Sequence, residues 1–124
     1  MSLRLEMLQV ARLAPKVLGD ASELVQKFLT NQQNDDGGFK DREGKSDLYY
    51  TVFGLDALAA FQAEPDLDAV EEFLHTCGEG EELDLVHLSC LTRCWGSLGV
   101  ERMPKGLRKA LLGRLEDYRK PCGG

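Results

Sequence analysis

Apolar residues recur at every third or fourth position in six stretches of the chain, and polar breaks carrying glycine or proline separate them. The first stretch runs from about Leu3 to Leu18 and stops at Gly19. Asp20 can cap the second, in which Leu24, Val25, Phe28 and Leu29 have the spacing of one buried stripe. Ser46 is expected to cap a third helix from Asp47 to about Gln62, where the charge of Asp47 suits the positive helix end. After Glu64-Pro65, Asp66 or Asp68 starts a fourth, "LDAVEEFLHTC". A fifth covers about Leu83 to Leu98 and meets Gly99. Pro104 fits the first turn of a sixth, which continues to about Lys120 before Pro121 and two glycines. No strand pattern competes, so the expected fold is all-α with six helices.

The stretches repeat. "QKFLTNQQNDDGGF" placed above "EEFLHTCGEGEELD" puts Phe28-Leu29 on Phe73-Leu74, 45 residues later. "FLTNQQNDDGG" placed above "RLEDYRKPCGG" puts Leu29 on Leu115 and Gly37-Gly38 on Gly123-Gly124, 86 residues on. The unit is therefore helix, loop, helix, over about 40–45 residues. Residues 1–19 read as an N-terminal helix, and residues 20–124 as repeats of which the third is truncated. One such unit cannot bury its apolar face alone. The expectation is a fragment of a longer protein, or a chain that self-associates through the open end of its stack.

"FLTNQQNDDGGF", followed by "GKSDLYYTVFGLDAL", resembles the repeat of protein prenyltransferase β subunits and of squalene or oxidosqualene cyclases. The likeness spans about residues 20–124. Gln33, Gly37 and Phe39 fit the family's Q-x3-G-x-W element, with phenylalanine in place of tryptophan; Gly38 completes the glycine pair. The resemblance implies an incomplete α/α toroid, a superhelix of about three helical hairpins whose second helices line an apolar cavity. It implies a prenyltransferase-like, isoprenoid-handling protein. The alternatives are a lipid- or protein-binding scaffold on the same repeat, or a terpene-cyclase-like enzyme in a full-length parent.

"DLVHLSC" resembles the D-x-R-x-x-Y-C pattern of prenyltransferase β subunits at Asp84 and Cys90, but Val86 and Ser89 stand where arginine and tyrosine are expected. The family holds zinc with a D-x-C pair and a later histidine; the equivalent positions of the first unit are Asp47 and Tyr49. The cyclase acid motif D-x-D-D is absent. The expectation is no cofactor in this chain, zinc only in a full-length parent, and no complete active site or turnover from these 124 residues.

Composition narrows the partners. A hydrophobic content of 43% and a charged content of 29% suit one globular domain. A net charge of −6 argues against a nucleic-acid partner, since phosphate contacts need a basic surface. No run reaches the roughly 18 apolar residues of a membrane span. The amphipathic start lacks the separate regions of a signal peptide, so the expected location is cytoplasmic. The four cysteines, Cys77, Cys90, Cys94 and Cys122, would then stay reduced.

Several residue groups carry candidate chemistry. Asp35-Asp36 could hold a metal or diphosphate, although the loop's role as a joint of the repeat already accounts for them. His87, Cys90 and Cys94 lie within about 60° of one another on the fifth helix, with Asp84 close by, and could ligate zinc, with His75 or Cys77 completing the set. The same spacing serves a packed seam. Tyr49, Tyr50, Phe53, Phe61 and Trp95 could wall an isoprenoid or stabilise a carbocation, or fill space between helices. Asp47 and Asp84 are candidate general acids that helix capping also explains. From Arg102 onward lie seven of the fifteen Lys and Arg residues; Lys105, Arg108 and Lys109 could meet a diphosphate or form a solvated face.

Overall fold

A computed structural model of the chain describes residues 21–119, together with the single positions 9 and 12. Apart from those two positions, the expected first helix lies outside the described residues, as do the expected cap Asp20, Cys122 and the final glycine pair. Among those described, the architecture is mainly helical: α1 (Ala21–Thr30), α2 (Leu48–Ala60), α3 (Leu67–Thr76), α4 (Leu85–Leu98) and α5 (Leu107–Arg119). A 3-10 turn, Val100–Arg102, precedes α5, and a two-stranded hairpin, β1 (Phe39–Lys40) and β2 (Ser46–Asp47), precedes α2.

Aspartate starts three of these helices. Asp47 accepts from the Tyr50 N–H (3.1 Å), Asp66 from Ala69 (3.1 Å) and Asp84 from His87 (2.8 Å). Each carboxylate satisfies an orphan donor and suits the positive helix end. Ser46, expected as a cap, instead pairs with Lys40 in the hairpin. That hairpin was not expected because two-residue strands carry no readable alternation. Its turn is held locally: Asp41 Oδ1 accepts from the N–H groups of Glu43 and Lys45, and Gly44 supplies a positive φ of 86°. The last helix begins at Leu107, later than the proline signal suggested.

α2 and α4 form the centre, with α1 packed on α2, and α3 and α5 packed on α4. His87 of α4 lies 3.6 Å from Asp47, and Arg93 lies 3.2 Å from Asp56. The contacts run in the same order along both elements, so the two aspartate-led helices lie side by side and parallel. Aligning Asp47 with Asp84, 37 residues apart, puts Thr51 with Leu88, Gly54 with Leu91, Leu58 with Trp95 and Phe61 with Leu98; every one is buried. The outer helices keep register too. Leu74 is fully buried, and Leu29 and Leu115 pack against the same core.

One expectation fails on α1. Val25 and Leu29 are half-buried, but Leu24 and Phe28 are 70% and 63% exposed. The neighbouring loop gives the reason. Phe73, the equivalent of Phe28, is buried beside Gly38 of the preceding unit's loop, whereas Phe28 meets no such loop among the described residues.

Candidate functional site

The glycine loop positions everything around it. Gln33 donates through Nε2 to the Gly37 and Asp66 carbonyls (3.0 and 3.2 Å), and its Oε1 accepts from the Asp66 N–H (3.3 Å). It therefore links the first loop to the start of α3. Gly37 has φ 97°, and a Cβ there would fall 1.7 Å from the Ala69 carbonyl oxygen. Only glycine fits both the dihedral and the approach. Phe39 is buried against Gly54 of α2, where an added Cβ would meet its ring at 2.3 Å. The Phe39 N–H donates to Thr51 Oγ1 (2.9 Å), which fixes the strand on the helix.

The two-aspartate run is largely explained by that loop. Asp36 Oδ1 accepts from the Gly38 N–H (3.0 Å) and the Ser46 hydroxyl, while Asp35 is exposed.

Where the first turns of α2 and α4 meet, Asp47, Asp84 and His87 come together. His87 Nδ1 lies 2.8 Å from Asp84 Oδ1, and Nε2 lies 3.6 Å from Asp47 Oδ1. A neutral imidazole has one N–H and one lone pair, so only the imidazolium can present a donor to both carboxylates. The hydrogen bond to Asp84 raises the His87 pKa above its ordinary value, and the Asp47 charge adds to this. In turn, the His87 N–H groups lower the pKa of Asp84. The sequence puts Asp84 close to His87 on one helix and leaves Asp47 apart; the parallel helices make the three one cluster. Such an imidazolium can donate a proton or bind an anion, but its first structural effect is to join the starts of α2 and α4.

Cys90 lies half-buried beside this cluster, and Cys94, one turn further along α4, is fully buried. Burial pushes both thiols up, Cys94 far up, and for Cys90 the Asp47 and Asp84 charges push further. Neither thiol is activated as a nucleophile by its surroundings. No group of three or more His, Cys, Asp or Glu among the described residues could hold a metal ion. His87 already spends both nitrogens on carboxylates.

The aromatic candidates separate into two sets. Tyr49, Tyr50 and Phe53 form an edge-to-face group on α2, with centroids 5.9 and 4.9 Å from Tyr49. Tyr49 is 46% exposed, as is Leu85, and Val86 of α4 is 58% exposed. Tyr49 and Val86 are repeat equivalents, so this face of both helices points away from the outer layer. Trp95 belongs elsewhere: it is fully buried, edge-on to His75 at 5.2 Å, and its Nε1 has no acceptor among the described residues. Phe61 is likewise core. Lys105, Arg108 and Lys109 are exposed on or just before α5.

Two interactions went unread in the sequence. Arg93 and Asp56 sit at equivalent repeat positions with opposite charge, a signal the 37-residue offset contains. Arg102 reaches back to Asp68 (2.8 Å) and Glu71 (3.2 Å) on α3, for which no local pattern exists.

No family model, no curated protein and no solved structure matches the chain. No described helix is long and apolar enough to cross a membrane.

Proposed function

We propose that the chain is built from prenyltransferase-like α/α-toroid repeats and holds an isoprenoid or similar apolar chain on the inner face of α2 and α4. The observation that carries this reading is the parallel pairing of the two aspartate-led helices at equivalent buried positions. It leaves Tyr49 and Val86 exposed on the side away from the outer helices, with Phe53 edge-on to Tyr49. A toroid built on this plan lines its cavity with that side. Aromatic edges and faces suit the repeated double bonds of an isoprenoid, and the described residues offer it a surface to lie on rather than an assembled set of transferase ligands. The family resemblance at Gln33, Gly37 and Phe39 supplies the rest of the support.

The test is saturable binding of a fluorescent farnesyl analogue. The Tyr49→Ala/Phe53→Ala double variant should raise Kd about tenfold, equivalent to about 1.4 kcal/mol. Absence of saturation, or an unchanged Kd in the double variant, removes the reading. Including a thiol peptide and a prenyl diphosphate in the same experiment separates holding from transfer.

A further inference from the structure

Inside the chain, one unit receives the next through a defined pair of faces. Asp56 marks the receiving side of α2, and helical spacing puts Val52, Leu55 and Ala59 on that side. The inserted side of α4 carries His87, Cys90 and Cys94; the first faces Asp47, and the last feels the charge of Asp56. Shifted by 37 residues, the receiving side becomes Ser89, Thr92 and Gly96 of α4, and the inserted side becomes Tyr50, Phe53 and Ala57 of α2.

Both shifted faces are open. Ser89 and Gly96 are exposed, and hollows of about 320 and 250 Å³ run along α4 where it meets α5, walled by Leu111, Leu112 and Leu115. At the other end, a groove of about 330 Å³ between α1 and α2 is lined by Phe28, Tyr50, Phe53 and Ala57. Phe28 is 63% exposed there, while its equivalent Phe73 is 8% exposed against the preceding loop. Among the described residues, one socket and one plug of the interface made internally are thus left unfilled.

We propose that a second copy of this chain docks head to tail, its α1–α2 groove against the Ser89–Thr92–Gly96 side of α4, continuing the α2–α4 packing between molecules. It rests on the repeat register and needs no bound isoprenoid. A heterologous contact of this kind leaves one face free on each end, so assembly proceeds to a ring or an open stack.

Two variants test it by light scattering across a concentration series. Phe28→Arg blocks the groove and Gly96→Arg blocks the socket. Neither should unfold the chain, because Phe28 is exposed and an added Cβ at Gly96 meets nothing within 4 Å; circular dichroism verifies this. The wild type should associate with concentration, and each variant alone should remain monomeric. Their mixture should form a dimer and stop there, since each contributes its one intact face. A wild type that stays monomeric overturns the proposal, as it would if residues of the same chain cover the groove. Variants that associate like the wild type, or a mixture that stays monomeric, overturn it equally.

Discussion

At the scale of single residues, His87 and the glycines make the sharpest claims. His87 is more easily protonated in the folded chain than in the unfolded one. Its stabilisation is therefore fully present below the ordinary imidazole value of about 6.5 and fades as pH rises through the higher folded value. Asp84 has the opposite sign: its lowered pKa stabilises above the usual carboxylate range, and that effect fades as pH falls through the folded value. The gap in melting temperature between wild type and His87→Gln should thus be widest below about pH 6.5 and should narrow as pH rises above it. A constant gap would show that the two carboxylates do not hold the proton. Glycine substitutions should divide by environment. Gly37→Ala forces both a positive φ and a backbone collision, costing about 2 kcal/mol or more. Gly54→Ala displaces the Phe39 ring and should cost about 1–3 kcal/mol. Gly96→Ala, in an open helix position, should stabilise by about 0.5–1 kcal/mol. Urea titration of the three reads this order directly.

At the scale of elements, legibility followed the range of the determining force. The helices α2, α3 and α4 were readable because capping and apolar period act within one turn, and Asp66 and Asp84 announce their helices locally. The hairpin escaped because its strands are two residues each and owe their place to Thr51 and to turn bonds within the loop. The α1 stripe was misjudged because burial of its Phe28 depends on a neighbouring unit, which periodicity cannot report. For the candidate site, the members could be read but not their meeting: Asp47 and His87 lie 40 positions apart and join only through parallel packing. Trp95, offered as a cavity wall, lies in the core, since aromatic identity alone does not say which side of a helix is covered.

At the scale of the molecule, residues from both units belong to a single buried cluster. Phe39, Leu58 and Val52 of the first unit share it with Leu74, Leu88 and Trp95 of the second. Units that share a core lose it together. Thermal melts followed by Trp95 fluorescence and by far-ultraviolet circular dichroism should therefore coincide. Leu74→Ala, at a fully buried position of α3, should lower both by the same amount, about 2–5 kcal/mol. Two separated transitions would mean that the units are independently stable.

The Gln33 bridge has a consequence for how such a chain can change over generations. Its side-chain amide grips only main-chain atoms of Asp66, a donor and an acceptor that every residue except proline possesses. The hinge between neighbours therefore imposes no spelling on the helix it holds, and that helix can diverge while the coupling persists.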